Sequence, residues 1–161
     1  MDNNIEELKI LAKDLRKTIV EASYKTGNKG VHLGPALSLV EILAVLYGEI
    51  LKYDINNPDW NDRDRLILSK GHGYIGLYSA LNLFGFISSK ELEDNFMTDG
   101  GFLPAHPVKN LNKGIECSSG SLGMGLSFAV GKAFYANMVK ANYMTYAILG
   151  DGECNEGNIW E

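Results

Sequence analysis

Residues 65–73 read RLILSKGHG, and residues 143–152 read YMTYAILGDG. Each is a short apolar run, at 65–69 and at 143–149, that breaks into glycines flanking an ionisable side chain. A continuous apolar run of this length, bounded by glycine, fits a strand covered on both faces, as in a parallel sheet. In open α/β sheets ligands sit beyond the carboxyl ends of the strands. Two strands that both end in glycine-rich polar turns therefore point to one binding edge.

From these runs the pattern extends in both directions. Leu8, Leu11, Ala12, Leu15, Ile19 and Ala22 recur at the spacing of an amphipathic helix that stops near Gly27. A loop from Gly27 to Pro35 follows. Ser38 and Glu41 stand at capping-box spacing and predict a second helix with Ile42, Leu43, Val45 and Leu46 as its apolar face. A polar stretch at 56–64, broken by Pro58, leads into the first strand. Ile75, Tyr78, Leu81 and Phe84 predict a helix after it, and Ser88 with Glu91 repeat the capping-box spacing. Residues 99–119 lack periodicity, and so long a loop in a compact domain is usually functional or mobile. Leu126, Ala129, Val130, Ala133 and Phe134 mark a helix opened by Gly120 to Gly125, and residues 156–161 begin another. Strands alternating with helices predict an α/β fold with a mostly parallel sheet flanked by helices. Two strands do not complete such a sheet, and its remaining strands are expected beyond Glu161.

The 161 residues suffice for one core of ordinary size. With 45% hydrophobic and 22% charged residues, the composition is that of a globular chain. A net charge of −5 without a Lys/Arg run argues against nucleic-acid binding. The apolar stretches read as too short to span a bilayer, so no membrane partner is expected. The start, MDNNIEELKI, is polar and acidic and does not read as a secretory signal. A cytoplasmic location, with Cys117 and Cys154 as reduced thiols, is the expectation.

Several places could carry chemistry. Asp151, at a strand end between Gly150 and Gly152, suits a Mg²⁺ ion that completes its shell with phosphate oxygens and water; an ordinary Asp-Gly turn explains the tripeptide about as well. Gly120, Gly123 and Gly125 form GSLGMG ahead of a helix, where backbone donors attract anions, or where glycine merely permits close packing. The order is not GxGxxG, and no P-loop occurs. His32, His72 and His106 all lie in Gly/Pro-rich loops (VHLGP, KGHGY, PAHPV), positions from which imidazoles can donate to hydroxyls or an oxyanion. Glu153, Glu156 and Glu161 read most simply as a solvated acidic surface.

Taken together, GVHLGPALSLVEIL, DRLILSKGHGYIGLYSALNLFG, PAHP, GIECSSGSLGMGLSFAVGKA and ILGDGECNEGNIWE resemble the N-terminal part of transketolase, in that family's order. The resemblance covers most of the chain after residue 25 and implies that residues 1–161 are the N-terminal portion, itself incomplete, of the diphosphate-binding (PP) domain of the thiamine-diphosphate fold. It implies thiamine diphosphate as cofactor with Mg²⁺ (or Ca²⁺), and Asp151 as metal ligand. Gly152 would approach the diphosphate, and His72 would lie near it. His32 and His106 would line the substrate channel, with His32, His72 and His106 together as the catalytic histidines. Gly120 and Leu122 would contact the aminopyrimidine, and Glu156 would sit at a dimer contact linking two cofactors, with Glu161 near another such position. The implied activity is ketol transfer between sugar phosphates, within a homodimer and/or beside a C-terminal transketolase subunit. The family's second metal-ligating Asn falls beyond Glu161, and its catalytic glutamate belongs to the following domain, so no turnover is expected of this polypeptide alone. Leu33 after His32, Val108 after Pro107, and SSG in place of TTG depart from full-length transketolases and fit the split, two-gene forms. HLGP is also similar to deoxyxylulose-phosphate synthases, the runner-up enzyme class. A non-catalytic binding or assembly remnant is the alternative outside catalysis.

Overall fold

Leu15 and Ile19, one turn apart on the predicted first helix, are fully enclosed and organise the first of two compact units. The computed structural model describes residues 2–161. One unit comprises residues 1–51 and 72–105, the other residues 52–71 and 106–161.

The first unit is helical. Helix α1 (Asp2–Lys25) is followed by α2 (Leu33–Leu37), α3 (Val40–Val45) and a π-helical turn at Leu46–Ile50. Helices α4 (Tyr74–Leu83) and α5 (Ser89–Asn95) complete it. Helix α4 is enclosed on every side, Ser79 included, because its apolar residues leave no polar stripe to face water. Tyr74, Tyr78 and Phe96 cluster with ring centroids 5.9–6.1 Å apart, and the Tyr78 hydroxyl donates to the Pro104 carbonyl at 3.0 Å. The Ser88–Glu91 capping box forms as predicted: Glu91 N–H donates to Ser88 Oγ, and Ser88 N–H to the Glu91 carboxylate.

The box predicted at Ser38–Glu41 does not form. Ser38 Oγ donates back to the Pro35 carbonyl, and Glu41 pairs with Arg16 of α1. Helix α2 begins inside the stretch read as a loop, and α3 buries Val40, Leu43 and Ala44 while Ile42 and Val45 stay partly open. The stretch Leu33–Ile50 is long and apolar enough, by length and composition, to cross a membrane, contrary to the sequence reading. Here it is divided among α2, α3 and the π-helical turn, with Ala36, Val40 and Leu43 in the unit's core.

The second unit carries strands β1 (Arg65–Leu68) and β2 (Thr145–Ile148), paired in parallel in the register Arg65↔Thr145 to Leu68↔Ile148. Among the described residues these are the only named strands. Asp64 fixes the start of both, accepting from Lys52 N–H at 2.9 Å and Met144 N–H at 2.7 Å. Beside it Arg63 and Glu116 form a buried ion pair. Helix α6 (Met124–Val139) lies on the sheet, with Ala129 packed against Ile67, Cys117 and Ala147. Its buried positions are the small residues Gly125, Ala129 and Ala136, whereas Val130 and Phe134 face outward. Small residues there allow close approach of helix to sheet. A short α7 (Gly157–Trp160) follows β2.

Candidate functional site

Because β1 and β2 run parallel and in register, their carboxyl ends lie side by side, and Ser69 N–H donates to the Ile148 carbonyl at 2.9 Å. The turns that leave them, Ser69-Lys70-Gly71 and Gly150-Asp151-Gly152, therefore emerge at one edge of the second unit. A third turn joins them. Gly123 is in the left-handed conformation (φ +84°) that opens α6, a geometry glycine adopts without strain. The next glycine, Gly125, lies so close to Ser69 that a Cβ there would fall 2.5 Å from Ser69 Cα, Cβ and Oγ. Glycine at 125 is thus a condition of α6 reaching the end of β1.

Glu153 ties the three turns together. Only 2% of it is exposed. Its Oε1 accepts from Ser69 Oγ and from Gly123 N–H at 2.8 Å, and its Oε2 from Gly150 N–H at 2.9 Å. This corrects the reading of Glu153 as part of a solvated acidic surface; Glu156 and Glu161 are exposed as expected. Lys70 is also buried, in the field of Asp151 and Glu153. Burial lowers the pKa of its ammonium group, and the attraction of the two carboxylates works against that shift. Asp151 and Gly152 are exposed at the head of a 3₁₀ turn, Gly152–Asn155.

The remaining predicted residues divide between the units. In the second, the His106 ring lies against Gly120, 3.8 Å from where a Cβ at that glycine would be, and Leu122 is partly buried. Glu156 stands at the N-cap position of α7 without a side-chain capping bond, with its Cβ beside Gly123. In the first unit, His32 and His72 meet edge to face with ring centroids 5.9 Å apart, and Tyr74 lies 6.2 Å from His32. Burial raises the pKa of the Tyr74 phenol, against a hydrogen bond from the His32 backbone. A cavity of about 190 Å³ in the same unit, lined by Thr18, Glu21, Lys25, Asn82 and Glu93 among others, holds none of the predicted residues.

The donors present suit a diphosphate and a hard cation held jointly. No group of three or more His, Cys, Asp or Glu among the described residues could enclose a metal ion. A Mg²⁺ ion shared with phosphate oxygens needs only one or two protein carboxylates, and Asp151 offers one. A Cβ at Gly152 would stand in open space, so an anion can approach that backbone closely. Ser119 Oγ, in the loop before Gly120, is buried without a hydrogen-bond partner among the described residues, a polar group suited to a ligand edge.

Glu153 and Lys70 are the residues that sequence reasoning missed. In the sequence Glu153 is one of several acids near the chain's end, and only the parallel register of β1 and β2 brings Ser69 to it. The nearest signal was its position directly after Gly150-Asp151-Gly152.

Comparison with known proteins shows the family. The family described as transketolase, thiamine diphosphate binding domain, matches residues 4–161. The 6-deoxy-6-sulfo-D-fructose transketolase subunit of Clostridium sp. (strain MSTE9) is 44% identical over 156 residues, covering 96% of this chain and 55% of that protein. An apulose-4-phosphate transketolase subunit of Phocaeicola vulgatus is 41% identical over 157 residues, covering 98% of this chain and 54% of the relative. The chain thus spans about half the length of these curated relatives. The solved transketolase from Leishmania mexicana superposes with a TM-score of 0.86 at 31% identity, over 95% of this chain and 24% of that one. The chain belongs to the transketolase family, as its N-terminal thiamine diphosphate-binding domain.

Proposed function

We propose that this chain holds thiamine diphosphate through a Mg²⁺ ion at Asp151 and acts as the N-terminal subunit of a cytoplasmic, dimeric transketolase. A complementary C-terminal subunit would supply the pyrimidine-binding domain. The activity would be transfer of a two-carbon ketol unit between sugar phosphates. One observation carries this reading: three glycine-rich turns converge at the carboxyl ends of two parallel strands, with the Asp151 carboxylate exposed among them. The two relatives named as transketolase subunits support the need for a partner.

When bound, thiamine diphosphate supplies the electron sink that ketol transfer requires. The chain's own residues bind and orient. Asp151 would hold the cation, and the backbone at Gly152 would accommodate the diphosphate without side-chain obstruction. With Gly150 N–H committed to Glu153, the N–H groups next in the turn, those of Asp151 and Gly152, would be the ones to meet phosphate oxygens. Gly120 and Leu122 would meet the aminopyrimidine, with Ser119 Oγ as a nearby polar contact. His72 would stand toward the diphosphate. His32 and His106 would donate hydrogen bonds to the sugar's hydroxyls and steady the oxygen on which charge develops. Glu156 would serve the contact between subunits.

Calorimetry of thiamine diphosphate with and without Mg²⁺ tests the binding claim: metal-dependent binding is expected, and no binding under either condition refutes it. A coupled ketol-transfer assay on the purified chain tests the need for a partner. No turnover is expected, and steady turnover by the chain alone contradicts it.

A further inference from the structure

Taking the proposed diphosphate site as its premise, we infer that Glu153 is the positioning residue of that site: its buried carboxylate fixes the three turns through Ser69, Gly123 and Gly150. Each contact comes from a different segment of the chain, the end of β1, the turn that opens α6 and the end of β2. The geometry uses both carboxylate oxygens. Oε1 takes Ser69 Oγ and Gly123 N–H, and Oε2 takes Gly150 N–H. The crowding of Gly125 against Ser69 holds the hydroxyl in place. Enclosing a carboxylate is unfavourable unless such donors surround it, and with three donors and the Lys70 ammonium nearby it becomes a rigid tie.

The electrostatics make the inference testable by sign. A negative charge beside a polyanion site repels the diphosphate. If the charge of Glu153 were its main effect, neutralising it would tighten binding. If its role is to hold the turns, neutralising it weakens binding, because a carboxamide has one acceptor oxygen and would turn its NH₂ toward a donor it cannot accept from.

The experiment is calorimetry of thiamine diphosphate with Mg²⁺ on the full chain, comparing wild type with Glu153→Gln and Ser69→Ala, alongside amide exchange at Gly123 and Gly150. The inference expects Glu153→Gln to keep its circular dichroism spectrum, weaken the cofactor about tenfold or more, and accelerate exchange at one or both glycine amides. Ser69→Ala removes one of the three ties and weakens binding by a smaller factor; it serves as the deciding variant should Glu153→Gln not fold. Unchanged or tighter binding by Glu153→Gln, or by Ser69→Ala in its place, overturns the inference while the proposed site stands. Absence of binding by the wild-type chain is a different outcome: it removes the premise, and the inference fails with it.

Discussion

Replacing Gly125 with alanine is the sharpest test of how the site is assembled. The new Cβ would lie 2.5 Å from three atoms of Ser69, one of them the backbone Cα. Carbon atoms in good contact stand about 3.5–4.0 Å apart, so roughly an ångström must be found. Ser69 cannot supply it freely, because its N–H is bonded to the Ile148 carbonyl and its hydroxyl to Glu153. Helix α6 must then shift off β1. Overpacking of this kind costs about 1–3 kcal/mol, occasionally more, against a helix-propensity gain of about 0.5–1 kcal/mol for Gly→Ala. A net loss of about 1–2 kcal/mol is expected, a fall in Tm of about 2–8 °C for a chain of this size. Gly131 in the same helix is the control. A Cβ there meets nothing within 4 Å, so Gly131→Ala should gain the propensity term alone, about 0.5–1 kcal/mol. Urea unfolding of both variants, compared by midpoint at constant slope, decides the matter. Equal stability of the two refutes the close approach of α6 to the end of β1.

Three further outcomes are expected. Ser88→Ala removes the cap of α5 and should cost about 1 kcal/mol, read as a lower urea midpoint and faster exchange at the Glu91 amide; an unchanged midpoint contradicts the capping geometry. Asp151 is exposed, so Asp151→Asn should leave stability within about 0.5 kcal/mol while Mg²⁺ ceases to strengthen thiamine diphosphate binding; a retained Mg²⁺ effect shows that the cation sits elsewhere. Burial, reinforced by Glu116, raises the pKa of the Cys117 thiol above its ordinary value. The folded chain therefore keeps a proton that the unfolded chain releases, and this contribution is complete below about pH 8.5 and lost as pH rises through the folded value. Lys70, lowered by burial, acts in the opposite sense. Comparison with Cys117→Ala isolates the thiol: wild type should lose more stability than the variant between pH 7 and pH 10, and parallel slopes would be inconsistent with a buried thiol.

What the sequence made legible was local. The strands around Leu66 and Tyr146 stand out because each apolar run ends abruptly in glycine, and the Ser88–Glu91 cap because its partners are three residues apart. The same spacing failed at Ser38, where α1 brings Arg16 to Glu41 and Ser38 finds the Pro35 carbonyl. Helix α6 was recognised, but its inward face only in part. Ala129 belongs to the apolar pattern and is buried against the sheet, whereas the buried Gly125 is too small to register in such a pattern, and Val130 and Phe134 point away. The candidate site follows the same rule. Asp151 is marked by its flanking glycines, whereas Glu153 takes its character from Ser69 and Gly123, residues 84 and 30 positions away in the chain.

The most direct test is a crystal structure of the chain with thiamine diphosphate and Mg²⁺. The expected result is a carboxylate oxygen of Asp151 about 2.1 Å from the metal, with diphosphate oxygens on the same ion and the backbone of Gly152 against them. A diphosphate bound elsewhere, or an Asp151 side chain turned away from the ion, would contradict it.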